Sequence, residues 1–536
     1  MNELLPERDG AHTVGRWLSD RAAASPARIA IDDRGVTIAY GRLDERVREL
    51  SARLRRAGYG PGDRIATVSG NSIDHVVAFF AAARVGAAFV PLSWRLTAKE
   101  LSGMLARTAP ELVLVEDEYV ALASEALDLL AERPPVASLG TTGVEQTVPR
   151  RTTAPAPCRA VRDDDALLVI FTSGSEAEPK GVVLTHANCF WNNLALAGAL
   201  PLTADDVVLS MLPQFHVAAW NVQPLLAWWT GATVVLERGF QPSRVLQLIE
   251  DRGVTAMMGV PTQYRLLADD PRFDAAALGS LRVGLVGGAT LPDDVAETWQ
   301  AHGVDLVQGY GLTEASPNVL WLAADEARRH PGAVGRPYPG VDVCLADPET
   351  GLVLEGAATG ELWVRGPSVF AGYLDDPAAT ARVFAGEWLR TGDIVERTAD
   401  GCHRIVDRMK DIYISGGENV APAEVEAALM RHPNVAEAAV VGVPDPVWGE
   451  RGVAFIVPIP GALVGEDELL AHARAELAGY KVPVKIALVS ELPRSTIDKL
   501  ARSRLRERAI ALVHAASTVA HEPHAHEEQG VAHEQH

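Results

Sequence analysis

The run Thr172-Ser173-Gly174-Ser175-Glu176-Ala177-Glu178-Pro179-Lys180-Gly181 follows a short apolar stretch, 166 to 171, and gathers hydroxyls, glycines and a lysine in one loop. Backbone amides and hydroxyls of such a loop can cradle phosphate oxygens, with Lys180 as the counter-charge. It is not the P-loop of nucleoside triphosphatases, because Pro179 stands where that motif needs Gly and Gly181 where it needs Ser or Thr. Taken alone, the segment reads equally well as a surface turn. Lysine is scarce elsewhere, at positions 99, 410, 481, 485 and 499 only, with arginine the default cation. Each lysine therefore raises the question of what it contacts.

Further segments follow in order: Gln308-Gly309-Tyr310-Gly311-Leu312-Thr313-Glu314, Thr391-Gly392-Asp393, Arg408-Met409-Lys410-Asp411, Ser415-Gly416-Gly417-Glu418-Asn419 and Pro493 to Lys499. As an ordered set they closely resemble the adenylate-forming superfamily of acyl-CoA synthetases, luciferases and peptide-synthetase adenylation domains, most of all its acyl-CoA synthetase branch. The resemblance spans about residues 12 to 510. It implies a reaction in two halves, using ATP, Mg2+ and coenzyme A. A carboxylate attacks the α-phosphate of ATP and pyrophosphate leaves; a thiol then displaces AMP from the acyl-adenylate.

The same resemblance assigns roles. Thr172, Ser173, Gly174, Ser175 and Lys180 would surround the phosphates, with Thr313 as a further phosphate-contacting hydroxyl. Glu314 would hold Mg2+, a hard cation that prefers oxygen ligands and bridges phosphates. Tyr310, flanked by Gln308, Gly309 and Gly311, would stack on adenine, with Gly287, Gly288 and Ala289 as the opposite wall, where small residues permit close approach. Asp393 would accept hydrogen bonds from the ribose hydroxyls, and Arg408 would also reach the nucleotide. Lys499 would bridge the substrate carboxylate and the phosphate oxygens. Lys410 marks a hinge about which the small C-terminal domain rotates between the two halves of the reaction. Gly416 and Gly417 would face the site after rotation, leaving room for a pantetheine arm. The plain alternatives are a core tyrosine, a loop glutamate, a turn aspartate, a surface ion pair and a solvated lysine.

Phe215-His216-Val217-Ala218-Ala219-Trp220-Asn221 resembles the acyl-CoA synthetase segment whose histidine lines the acid site. His216, Trp220 and Asn221 are the candidate substrate residues, although Trp more often packs a core. Peptide-synthetase domains that take amino acids place Asp where His216 stands. The expected substrate is therefore an apolar acid: fatty, aromatic or polycyclic. Three positions depart from the pattern: Glu176 and Ala177 in the phosphate loop, and Asp498 beside Lys499. Three functions compete: a complete acyl-CoA ligase, an adenylating enzyme that hands acyl-AMP to a carrier protein or a separate thiolating enzyme, and a weak nucleotide-binding protein. Retention of Glu314, Asp393 and Lys499 speaks against the last.

These residues need a scaffold. Apolar runs at 64 to 68, 166 to 171, 206 to 211, 232 to 237, 254 to 259 and 282 to 287 alternate with helical patterns, which predicts parallel α/β structure. Residues 63 to 91 and 206 to 237 repeat one strand, helix, strand order, which predicts two related α/β layers. Short alternating segments from 340 to 407 predict a β-rich section closing a large N-terminal domain, 1 to 407. A hinge at 408 to 410 and a mobile α+β domain at 411 to 513 follow, and a His-rich tail from 514 to 536 is expected to be disordered.

With 48% hydrophobic and 22% charged residues, the 536-residue chain has the composition of a folded protein of more than one domain. A net charge of −21 argues against broad binding to nucleic acid or to anionic membrane. Cys158, Cys189, Cys344 and Cys402 are scattered without paired spacing, as expected for reduced cytosolic thiols. Met1 to Thr13 lacks the basic-then-apolar pattern of a secretory signal, and His75 and Arg84 interrupt the apolar stretch 74 to 91. Neither secretion nor a membrane span is expected, and a cytoplasmic location is.

Overall fold

A computed structural model describes residues 10–139, 148–172, 179–288, 291, 293–327, 329–408, 413–420, 422–493 and 502–519. Their strands form four sheets. Two large ones are the expected α/β layers. In the seven-stranded sheet, Arg64–Val68 lies parallel to Ala88–Leu92, joined by the helix Ile73–Val85. In the nine-stranded sheet, Val207–Ser210 lies parallel to Thr233–Leu236, joined by Ala218–Asn221 and Pro224–Thr230. The apolar runs read from sequence at 254 to 259 and 282 to 287 contain the strands Ala256–Gly259 and Val283–Val286, which continue that second sheet in parallel. Strands buried on both faces need near-continuous apolar runs, which is why these were visible without alternation.

The layers meet on aromatic side chains. Trp220 stacks on Phe79 at 4.4 Å between ring centroids, and Phe80 meets Trp228 edge-on at 5.6 Å. All four are fully buried. Each such side chain contributes roughly 1.5–3 kcal/mol on burial, so this seam fixes how the two layers sit and with them the loops at their ends.

Antiparallel strands extend one side of both sheets. Ala166–Thr172 forms a hairpin with Lys180–Thr185, placing Thr172 directly across from Lys180. The expected phosphate loop thus has its two ends, Thr172 and Lys180, on facing strands, while residues 173 to 178 lie outside the described residues. Asn318–Leu322 runs antiparallel to Leu306–Gly311 and pairs with Arg336–Pro337. The β-rich section is a separate six-stranded sheet containing Ala358–Arg365, Trp388–Arg397 and His403–Arg408.

Beyond it, Val435–Asp445, Gly449–Pro458 and Lys485–Leu488 form a sheet with the hairpin Tyr413–Ser415 and Glu418–Val420, packed against Pro422–Met430 and Glu466–Glu476. The last helix, Arg502–Val519, runs past 513, where a disordered tail was expected to begin. Ala515 and Ala516 are good helix formers and let the helix propagate into the start of the His-rich segment. No helix among the described residues is long and apolar enough to cross a membrane.

The C-terminal unit is tied to the large one by ion pairs. Lys481, 3% exposed, holds Glu100 at 3.3 Å and Glu424 at 2.7 Å, bridging the two units. Lys99 pairs with Glu476. Arg95 holds Glu418 at 2.8 Å.

Candidate active site

The two layers, the β-rich sheet and the turn Gly416-Gly417 enclose a cavity of about 630 Å3. Its polar side begins at the hairpin, where Thr172 and Lys180 line it as a register pair. Lys180 Nζ lies 5.4 Å from the centre of the Tyr373 ring. Across from them, Thr313 and Glu314 project from a single 3-10 turn, Thr313–Ala315, that follows the strand Leu306–Gly311. The Tyr373 hydroxyl donates to Glu314 Oε1 at 2.8 Å. Burial pushes the Glu314 carboxyl upward, the Tyr373 hydrogen bond opposes this, and the charge of Asp393 adds to the rise. A cation beside this carboxylate would offset the cost of burying its charge.

Tyr310 lines the cavity from the same strand and donates its hydroxyl hydrogen to Asp393 Oδ2 at 2.6 Å. Asp393 is buried and sits on Trp388–Arg397, in register with Arg408 at the end of the neighbouring strand. Glu361 accepts from the Gly392 amide at 3.1 Å and from Arg390 Nε at 3.2 Å, which fixes the strand segment Thr391 to Asp393. Gly311 has no freedom to be anything else, because a Cβ there would fall 1.6 Å from the Pro317 carbonyl oxygen. Gly287, Gly288 and Gly309 also line the wall, Gly288 with φ +83°.

The loop 212 to 217 is held by a buried polar network. Asn71 Nδ2 donates to the Leu212 carbonyl at 2.9 Å, and the Gln214 amide returns a hydrogen bond to Asn71 Oδ1 at 3.0 Å. His75 contacts Gln214 Oε1 and Thr67 Oγ1, each at 2.8 Å. Burial pushes its imidazole down to about 4, so His75 is a neutral strut. This network presents His216 to the cavity, where its Nε2 meets Glu418 Oε2 of the C-terminal unit at 2.9 Å. Burial opposes charge on Glu418, but His216 and Arg95 outweigh it and hold the carboxyl below its usual range.

Of the residues singled out in the sequence, Thr172, Lys180, His216, Gly287, Gly288, Gly309, Tyr310, Gly311, Thr313, Glu314, Asp393 and Gly417 are brought together on this one cavity. Trp220 and Asn221 are not. Trp220 is the core stack described above, its Nε1 donating to the Gln214 carbonyl at 2.6 Å. Asn221 Nδ2 donates to the Ser316 carbonyl at 2.9 Å, bracing the turn behind the wall. Gln308 is also buried outside the lining and accepts from the Leu291 amide at 2.9 Å. Gly416 abuts Trp448, where an added Cβ would come within 2.6 Å of the indole, and only Gly417 reaches the cavity. Ser173, Gly174, Ser175, Ala289, Lys410 and Lys499 lie outside the described residues. For Arg408 the backbone register with Asp393 is its placement.

Sequence reasoning missed Tyr373, Glu361, Tyr338 and the pairing of Glu418 with His216. Glu418 adjoins the two glycines already singled out, but its partner belongs to another unit of the fold.

Residues 18–374 match the AMP-binding enzyme family, and residues 424–499 match the AMP-binding enzyme C-terminal domain. The chain belongs to the AMP-binding enzyme family. Within it, the chain falls in the acyl-CoA synthetase branch, the AMP-forming acid–thiol ligases. It is 39% identical to feruloyl-CoA synthase of Amycolatopsis sp over 495 residues, 92% of this chain and 99% of that protein. It is 34% identical to indoleacetate–CoA ligase of Aromatoleum aromaticum, covering 92% of this chain and 98% of the relative. Among solved structures, o-succinylbenzoate CoA synthetase of Bacillus subtilis, a double mutant bound to a product analogue, has a TM-score of 0.83 at 28% identity. That match covers 92% of this chain and 98% of the other.

The bond between Tyr310 and Asp393 gives this AMP-binding enzyme a direct test. A hydrogen bond to a charged acceptor is worth roughly 1.5–3 kcal/mol. Tyr310→Phe keeps the ring and removes the bond, and is expected to raise the KM for ATP by about tenfold. Pyrophosphate release measured against ATP concentration checks it, and an unchanged KM would refute a role for the bond in holding the nucleotide.

Proposed function

We propose that this AMP-binding enzyme is an ATP-dependent ligase that joins an apolar, ring-bearing carboxylic acid to coenzyme A through an acyl-adenylate. The observation that carries the reading is the continuity of one cavity. Its polar side, Thr172, Lys180, Thr313, Glu314 and Asp393, passes directly into an apolar side formed by Val217, Ala218, Val222 and Pro317. An apolar acid can therefore lie with its carboxylate against a nucleotide.

Tyr310 supplies a face for adenine, and Asp393 accepts hydrogen bonds from ribose hydroxyls. Lys180, Thr172 and Thr313 face the phosphates. Glu314 is the residue to hold Mg2+. One carboxylate plus substrate phosphate oxygens is a usual donor set for that ion, which fits a site where no group of three or more His, Cys, Asp or Glu side chains gathers among the described residues. When bound, the ion would offset charge on the phosphates. The carboxylate oxygen attacks the α-phosphorus and the bond to pyrophosphate breaks. The coenzyme A thiolate then attacks the acyl carbon and AMP departs with the bonding pair. Positioning and fixed charge supply most of the acceleration in such transfers.

The second half requires rotation of a C-terminal domain, 411 to 513, against an N-terminal domain, 1 to 407, about a hinge at 408 to 410 with Lys410 at its centre. Gly417 on the cavity and Glu418 bonded to His216 favour the thiol-accepting arrangement for the geometry described.

Feruloyl-CoA synthase and indoleacetate–CoA ligase among the relatives support a ring-bearing acid. A second reading is favoured by fatty acid–[acyl-carrier-protein] ligase ScoC of Streptomyces coeruleorubidus, 33% identical over 510 residues. In that reading a carrier protein or a separate thiolating enzyme receives the acyl group. Incubation with MgATP and a panel of fatty, aryl and polycyclic acids, with and without coenzyme A, separates the two by mass spectrometry. Acyl-CoA formed only with coenzyme A is the expected result. Acyl-AMP accumulating despite coenzyme A would overturn it in favour of the second reading.

A further inference from the structure

The unit that carries Gly417 and Glu418 is seated on the large one through a buried cluster of charges. Lys481 ends the 3-10 turn Gly479–Lys481, and its Nζ donates to Glu424 of its own unit at 2.7 Å and to Glu100 of the large unit at 3.3 Å. The three side chains are 3%, 12% and 11% exposed. The segment leading to Lys481 is set into the large unit. Ala478 belongs to the apolar cluster of Val68, Leu101 and Leu105, and Tyr480 packs against both that cluster and the core of the C-terminal unit.

Glu100 is oriented for this contact by its own helix. Its Oε2 accepts from the Thr97 amide at 2.9 Å and from the Thr97 hydroxyl at 3.0 Å, closing the capping box that starts Ala98–Thr108, while Oε1 faces Lys481. A carboxylate already fixed in this way loses little side-chain freedom on pairing. Lys99, one residue earlier, differs. It is exposed, and its partner Glu476 also has Arg431 of the C-terminal unit at 2.9 Å, so that link contributes little. Rotation of the C-terminal unit carries Glu424 along with Lys481 and leaves Glu100 behind. The Lys481–Glu100 contact therefore belongs to one arrangement of the units. Without the lysine, that arrangement alone would bury two carboxylates side by side with no cation between them, a costly situation.

We infer that Lys481 is a positioning residue for the second half of the reaction: by joining Glu100 to Glu424 it holds the C-terminal unit where Gly417 borders the cavity and Glu418 bonds His216. The inference rests on the two-step function and the thiol-accepting arrangement proposed above, and names the contact that sets the balance between arrangements. A ligand that binds only one arrangement has its apparent affinity reduced by the fraction of protein outside it. Coenzyme A is that ligand here.

The test uses the full-length enzyme and measures the halves apart. Pyrophosphate release from MgATP and an accepted acid reports the first; conversion of chemically supplied acyl-AMP and coenzyme A to acyl-CoA reports the second. Lys481→Met is expected to keep pyrophosphate release within about threefold and to raise the KM for coenzyme A by about tenfold or more. Glu100→Gln leaves the C-terminal unit intact and can still cap its helix, and is expected to raise the same KM by about tenfold, the effect of one hydrogen bond to a charged group. Adding Glu100→Gln to Lys481→Met is expected to recover part of the loss, because one of the two facing carboxylates is then neutral. Lys99→Ala, on the same helix, is expected to change either half by no more than about twofold. Retained pyrophosphate release shows in the same assay that each variant folds. Equal losses in both halves of Glu100→Gln, a loss confined to pyrophosphate release, or an unchanged KM for coenzyme A overturns the inference. Wild-type enzyme that releases pyrophosphate but makes no acyl-CoA would instead overturn coenzyme A as the acceptor, and failure of every acid to release pyrophosphate would overturn the acid-activating function itself.

Discussion

Replacement of Lys499 by alanine is expected to slow acyl-adenylate formation by about 10² to 10³, the usual loss when one preorganised donor is removed from a developing charge. The reasoning starts from the anions. A carboxylate and a triphosphate must come within bonding distance, and like charges about 4 Å apart at an effective dielectric of 20 repel by about 4 kcal/mol. Cations must offset this, and the chain has few lysines for the task. Lys99 is committed to Glu476, Lys481 to Glu100 and Glu424, and Lys485 to Glu466. Lys180 lines the cavity on the hairpin. Lys410 and Lys499 lie outside the described residues, and only Lys499 carries a family resemblance to a carboxylate-bridging group. The expected signature is specific. Pyrophosphate release collapses in Lys499→Ala, whereas conversion of chemically supplied acyl-AMP and coenzyme A to acyl-CoA continues. Unchanged pyrophosphate release would remove Lys499 from the mechanism.

Much of this site was legible because its residues carry backbone constraints that leave marks in sequence. Gly311 must be glycine because Pro317 occupies the place of its side chain. Tyr310, Thr313 and Glu314 sit within one strand and the turn that follows, so their spacing survives as a short motif. The parallel strands were visible for a similar local reason, since burial on both faces demands continuous apolar runs.

What sequence hid is non-local. Trp220 and Asn221 share a short helix with cavity-facing Ala218, and four residues are too few to reveal which face turns inward. The interlayer seam takes Trp220, and the turn at Ser316 takes Asn221. Gln308 shares a strand face with cavity-lining Tyr310, yet its side-chain oxygen is taken by the Leu291 amide and it stays out of the lining, a partner no local spacing shows. Tyr373 reaches Glu314 from a two-residue edge strand of the other large sheet, and Glu418 reaches His216 from another unit. Such pairings arise only when the chain closes on itself.

The two adjacent glycines separate in the same way, and their difference gives the second large effect. At Gly416 any Cβ meets the Trp448 ring, so substitution there would disturb the fold. At Gly417 the nearest atoms to an added Cβ are the Val260 methyls at 3.7 and 3.8 Å, ordinary contact distance. A side chain at 417 would thus fit the protein and project where this turn borders the cavity. The residue's φ of +83° adds strain of roughly 1–2 kcal/mol for a non-glycine residue, which the fold can absorb. Gly417→Val is therefore expected to leave pyrophosphate release within about threefold, because in the function proposed above adenylation draws on groups of the large unit and Lys499. Acyl-CoA formation should fall by about 10² or more, since displacement of a reacting group by 1 Å can cost that much. Acyl-AMP should accumulate when coenzyme A is present. Equal losses in both halves would mean that the substitution damages the fold, and undiminished acyl-CoA formation would mean that the thiol does not pass this turn.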